Sequence, residues 1–132
     1  MIKERFNKAV EIMTKNDSGG FTAPTKNLYP QQWNWMPSVD PKHKKLESER
    51  YWRGPVWSIM NYMISYGLEN EGEYSLAKRI KDDTIKIIEV GGMHEYFYPH
   101  TGKGLGGHDF SWTAAILLAL VRDSSNLKFT NN

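Results

Sequence analysis

Residues 112–121 read Trp-Thr-Ala-Ala-Ile-Leu-Leu-Ala-Leu-Val, a run that is apolar on nearly every face of a helix. A helix with this pattern is expected to be buried on all sides. It is well short of the about 20 apolar residues that span a bilayer, so protein rather than lipid must surround it. The chain has 132 residues, enough for one domain and not comfortably for two. A short chain that must wrap an all-apolar helix reads as part of a larger helical assembly.

Three other segments carry helical patterns. Ile2, Phe6, Ala9, Val10 and Met13 share one face and predict a helix over 2–15, ended by the breaker run Asn16-Asp17-Ser18-Gly19-Gly20. Val56, Ile59, Met60, Met63 and Ile64 predict the buried face of a second helix, with Pro55 in its first turn and Gly67 as its stop. Ala77, Ile80, Thr84, Ile87 and Ile88 predict the buried face of a third helix over 73–90, with Lys78, Lys81, Asp82 and Lys86 largely opposite and Gly91-Gly92 ending it. Asp109 or Ser111 is placed to cap the fourth. Between them, residues 17–54 hold no sustained period. That segment carries Pro24, Pro30, Pro37 and Pro41 together with Phe21, Tyr29, Trp33, Trp35, Tyr51 and Trp52. So many aromatic residues argue for a long ordered loop rather than disorder. Residues 91–109 form a second irregular, glycine-rich segment, and 123–132 read as a polar, flexible tail. The expected class is all-α, about four helices with long aromatic-rich loops.

Bulk properties narrow the function. A formal net charge of +2, with scattered basic residues, does not suit a nucleic-acid binder. There is no Cys, which excludes disulfide and thiolate chemistry. The N-terminus is charged and lacks a signal-peptide apolar run, so a cytoplasmic protein without membrane contact is expected. Aromatic residues make up 13% of the chain and gather outside the regular helices, as either a local core or a binding surface.

The densest cluster is Tyr51-Trp52-Arg53-Gly54-Pro55-Val56-Trp57. Aromatic faces stack on the C–H faces of sugar rings, while guanidinium and indole N–H groups donate to hydroxyls. Gly54 would let the backbone approach a ligand closely. The same residues would equally serve as a buried aromatic staple at a helix entry, since Trp is highly buried on average. The second chemistry-bearing segment is Met93-His94-Glu95-Tyr96-Phe97-Tyr98-Pro99-His100-Thr101-Gly102, followed by Lys103-Gly104-Leu105-Gly106-Gly107-His108. Glu95, a carboxylate among aromatics beside a flexible loop, is a candidate for general acid/base work. The spacings of His94, His100 and His108 match no common zinc pattern, so no metal is expected. The glycines do not form a phosphate loop, because the GxxxxGK[ST] pattern is missing. No cofactor is implied.

Tyr51 to Trp57, a helix ending Tyr66-Gly67-Leu68, an amphipathic helix, Glu95 to Gly102, and Phe110-Ser111-Trp112-Thr113-Ala114-Ala115 follow in a telling order. In that order and spacing, over residues 29–121, the chain resembles the C-terminal part of glycoside hydrolase family 63 and the related mannosylglycerate and glucosylglycerate hydrolases. Trehalases are more distant relatives. The resemblance implies part of an (α/α)6 toroid, concentric rings of helices around a sugar site, and hydrolysis of α-glycosidic bonds with inversion. It implies that Glu95 is the general base that activates water. It also implies that Tyr51, Trp52, Arg53, Gly54, Trp57 and Trp112 bind substrate, an α-linked saccharide or glycosyl-glycerate. The general-acid Asp of such enzymes lies upstream of anything present in this sequence, and neither Asp40 nor Asp109 takes its place in the pattern. The expected partner is therefore an upstream glycosidase polypeptide. The competing expectations are a non-catalytic carbohydrate-binding module and a structural or oligomerisation module that forms a homo-oligomer.

Overall fold

The computed structural model describes residues 3–5, 7–8, 35–39 and 43–129, with side chains through residue 123. Residues 3–5 and 7–8 are helical; the rest of the helix expected over 2–15 lies outside the described residues, as do 17–34 and 40–42 of the long segment. Three complete helices follow: α1 (Ser58–Asn70), α2 (Tyr74–Gly91) and α3 (Ser111–Phe129). Between α2 and α3 the chain forms a small antiparallel hairpin of β1 (Tyr96–Phe97) and β2 (Gly104–Leu105), with Tyr96 opposite Leu105 and Phe97 opposite Gly104.

Helix α2 buries Ala77, Ile80, Thr84, Ile87 and Ile88, the face its apolar spacing predicts. Lys81 departs from that pattern. It is buried, with its ammonium 2.8 Å from both carboxylate oxygens of Glu69 on α1 and 3.6 Å from Asp123 on α3. A lysine stem lies along apolar surface easily, and a buried ammonium needs such partners. One side chain thus ties all three helices together.

Helix α1 is turned away from the expected orientation. Its buried residues are Ser58, Asn61, Ser65 and Leu68, while Met60 and Met63 are exposed and Ile64 is only partly covered. Small serines suit a close helix approach. Ser58 Oγ lies 3.5 Å from Thr113 Oγ1 of α3, and Ser65 Oγ donates to the Tyr62 carbonyl. Apolar periodicity cannot register a contact face built from hydroxyls. Pro55 also precedes the helix rather than opening it. Trp57, extended at φ −115°, is the N-cap, and the helix runs through Gly67 to Asn70.

Helix α3 begins with the Ala114 N–H donating to the Phe110 carbonyl, so neither Asp109 nor Ser111 occupies the cap position. It extends to Phe129 and takes in most of the stretch read as a tail. Only one face is covered. Thr113, Ile116 and Leu120 are buried, but Leu118 is 72% and Val121 51% exposed. The all-round burial expected for this run is not met by these residues alone.

Among the described residues, two apolar clusters form the core. Met36 packs with Leu68, Leu76, Ala77 and Ile80; Val56 packs with Ile87, Ile88 and Phe97, flanked by Trp35, Met93 and Leu117. The second cluster joins the two chemistry-bearing segments. Val56 and Phe97 exchange both backbone hydrogen bonds at 2.9 Å, which adds the 51–57 run to the edge of the hairpin.

Candidate active site

Glu95 stands immediately before β1, and three elements fix it. Its N–H donates to the Gly107 carbonyl at 2.9 Å, closing the hairpin beyond the two paired strands. Thr113 Oγ1 of α3 donates to the His94 carbonyl at 2.7 Å, and the Phe110 N–H donates to the Met93 carbonyl at 2.8 Å. The carboxylate has a separate donor on each oxygen. The Tyr51 hydroxyl donates to Oε1 at 3.2 Å and the Gly107 N–H donates to Oε2 at 3.3 Å. Space for it is made by Gly106, at φ 70°, where a Cβ would stand 2.7 Å from Oε2 and 2.6 Å from the Tyr96 ring. The loop glycines therefore serve the carboxylate directly.

Beside Glu95 stands a column of aromatic rings. Trp57 stacks with Trp52 at a centroid distance of 3.8 Å and with Tyr96 at 4.9 Å. Tyr51 meets Trp52, Trp57 and Tyr96 edge-on, and Trp112 meets Trp57 edge-on at 6.2 Å. Partial desolvation and the neighbouring Glu95 charge push the Tyr51 phenol above its ordinary range, so it stays protonated and remains a donor.

Six residues were singled out around the carboxylate, and the structure sorts them. Tyr51, Trp52, Trp57 and Trp112 are brought together in the aromatic cluster. Trp57 is 1% exposed and spends its indole N–H on the Tyr51 carbonyl at 3.0 Å, whereas Trp52 and Trp112 keep open surface. Arg53 turns to Glu47 instead, with Nη1 2.6 Å from Oε1. Hydrogen bonds from Arg53 and Arg50 hold the Glu47 carboxyl below its usual range. Gly54 is needed for internal packing: a Cβ there would lie 2.7 Å from the Glu47 carbonyl oxygen, and its N–H donates to Ser38 Oγ. Tyr96 and Gly107 belong to the site and were not singled out. Alternation through the two-residue strand is too short to read, and a backbone N–H has no sequence signature.

A cavity of about 280 Å³ opens beside the column, walled by Met36, Trp52, Trp57, Met60, Asn61 and Ile64 but not by Glu95 or Tyr51. Among the described residues no group of three His, Cys, Asp or Glu side chains is placed to hold a metal ion. His108 pairs instead with Asp109 at the exposed loop tip. No helix among the described residues is long and apolar enough to cross a membrane.

Residues 15–113 match the mannosylglycerate hydrolase MGH1-like glycoside hydrolase domain. The chain belongs to that family. Mannosylglycerate hydrolase MGH1 of Selaginella moellendorffii is 50% identical over 84 residues, covering 64% of this chain and 17% of the relative. The mannosylglycerate hydrolase of Thermus thermophilus is 46% identical over 87 residues, 66% of this chain and 21% of that protein. A crystal structure of a GH63 mannosylglycerate hydrolase from Thermus thermophilus, in complex with Tris and D-glycerate, aligns with a TM-score of 0.61 at 47% identity. That alignment covers 63% of this chain and 20% of the other. A second structure of that enzyme, in complex with glucose, aligns with a TM-score of 0.59 at 46% identity, over 64% of this chain and 21% of the other. The chain thus spans about a fifth of the length of the relatives it matches. Its helices are a portion of a GH63 helical barrel, the all-α (α/α)6 toroid that the motif order implied.

Proposed function

We propose that this chain forms the C-terminal, sugar-lining portion of an inverting α-glycosidase and supplies its general base, Glu95. The observation that carries the reading is a carboxylate with one donor on each oxygen, standing beside a column of aromatic rings. An inverting enzyme needs a base on one face of the sugar to deprotonate water, and an acid on the other face to protonate the leaving oxygen. A carboxylate whose plane is fixed from both oxygens suits the first task, and exposed aromatic faces such as that of Trp52 suit the sugar. An upstream polypeptide supplies the acid. The exposed apolar side chains Met63 and Tyr66 on α1 and Leu118 and Val121 on α3 support this, because neighbouring barrel helices would cover them. The substrate class is an α-linked glycosyl-glycerate, supported by relatives that are mannosylglycerate hydrolases and by the relative whose structure holds D-glycerate.

The test uses mannosylglycerate as probe. The 132-residue chain alone is expected to be inactive, and the enzyme assembled with the upstream polypeptide is expected to release mannose with inverted anomeric configuration. In the assembled enzyme Glu95→Gln is expected to lower kcat by at least about a hundredfold without changing the thermal melt. Turnover retained by Glu95→Gln, or release of the retained anomer, refutes the reading.

A further inference from the structure

The resemblance groups Tyr51 with the substrate-binding residues, but the geometry gives it a different task. We infer that Tyr51 is the positioning residue for Glu95, fixing one carboxylate oxygen while the Gly107 N–H fixes the other. The inference rests on the reading of Glu95 as the base.

Tyr51 lies 44 residues before Glu95, and its hydroxyl donates to Glu95 Oε1 at 3.2 Å. Its backbone is held at φ 25°, a left-handed conformation that is strained for a tyrosine. Two contacts hold it there. The buried Trp57 indole donates to the Tyr51 carbonyl at 3.0 Å, and a tight turn closes through the Arg53 N–H and the Arg50 carbonyl at 2.7 Å. Edge contacts to Trp52, Trp57 and Tyr96 set the direction of the ring. A strained backbone and three packed rings thus combine to aim one hydroxyl at one oxygen. The ring is edge-on to its neighbours, so it does not extend the Trp52–Trp57–Tyr96 stack as a further platform for a sugar. With Tyr51 on Oε1 and Gly107 on Oε2, rotation of the carboxylate is stopped from both sides, and a remaining lone pair can face a water in one direction.

Tyr51→Phe in the assembled enzyme, with mannosylglycerate as substrate, tests this. The variant keeps the ring and its edge contacts and loses only the hydroxyl. Loss of a hydrogen bond to a charged group is expected to lower kcat about tenfold while leaving KM within about twofold. A second background separates positioning from a structural role. In Glu95→Ala supplied with azide, the azide attacks the anomeric carbon, the bond to the glycerate oxygen breaks, and that oxygen takes its proton from the general acid. A glycosyl azide forms and no base is used. Adding Tyr51→Phe to that background is expected to change the azide reaction by less than about twofold. A loss that appears in KM, or that persists undiminished in the azide reaction, overturns the inference while leaving Glu95 as the base. Turnover retained by Glu95→Gln removes the base reading and the inference with it.

Discussion

Gly106→Ala separates the backbone requirement of the hairpin loop from its service to the carboxylate, because Gly72 provides a control. Both glycines have positive φ, 70° at Gly106 and 87° at Gly72. A Cβ at Gly72 would meet nothing within 4 Å, whereas at Gly106 it would stand 2.7 Å from Glu95 Oε2, 3.0 Å from Glu95 Cβ and 2.6 Å from the Tyr96 ring. Placing an alanine in the left-handed region costs about 1–2 kcal/mol, offset by about 0.4–1 kcal/mol from the stiffer unfolded chain. Gly72→Ala is therefore expected to lose roughly 1 kcal/mol, seen as a fall in Tm of about 4 °C, and Gly106→Ala about 1–3 kcal/mol more, because its Cβ overpacks the Glu95 and Tyr96 side chains. Only Gly106→Ala also forces Glu95 to move. Its carboxylate must retreat by several tenths of an ångström to reach ordinary contact, and Tyr51 and the Gly107 N–H then no longer meet it together. Misplacement on the ångström scale costs about a hundredfold in rate. Gly72→Ala is thus expected to keep full kcat in mannosylglycerate hydrolysis while Gly106→Ala loses about two orders of magnitude, both assayed well below their melting temperatures. A Gly106→Ala enzyme with wild-type kcat would show that the loop does not hold the carboxylate, and the reasoning would fail.

Trp57→Ala is expected to destabilise the protein by about 3–5 kcal/mol, because a fully packed indole leaves a cavity and frees the Tyr51 carbonyl. Trp52→Ala, at a residue 47% exposed, is expected to cost about 1–2 kcal/mol. It should chiefly weaken saccharide binding. Denaturant melts paired with a mannosylglycerate titration of each variant check both, and equal stability losses would contradict the assigned packing. Burial lowers the pKa of His100 from 6.5, so at mildly acid pH the unfolded chain binds more protons than the folded one. The associated stability is present above about pH 6.5 and is lost as pH falls through the lowered value, so Tm should drop between about pH 7 and 5. His100→Gln should flatten that slope; an unchanged slope would refute the assignment.

Where the sequence was legible, a regular physical pattern carried the reading. Helix α2 alternates burial and exposure at helical period with few exceptions, so its buried face follows from Ala77, Ile80, Thr84, Ile87 and Ile88 alone. Helix α1 shows the limit. Its contact face is Ser58, Asn61, Ser65 and Leu68, and no hydrophobicity pattern ranks two serines and an asparagine above Met60 and Met63. Lys81 fails the same way, since a charge reads as surface until Glu69 and Asp123 arrive from other helices. The hairpin between α2 and α3 is two residues per strand, below the length at which period-two alternation can be detected.

The amino-acid sequence by itself determined the helical class, the motif order shared with GH63 enzymes and the candidacy of Glu95. These rest on local propensity and on residue types in a fixed order. Tertiary structure alone decided which groups face that carboxylate. It brought Tyr51 and Gly107 to opposite oxygens, sent Arg53 to Glu47, and buried Trp57 with its indole N–H on the Tyr51 carbonyl. The Val56–Phe97 bridge sets the segment carrying Tyr51 beside the hairpin that carries Glu95. A hydrogen bond between side chains 44 residues apart depends on that register and on ring packing, and neither leaves a periodic trace in the chain.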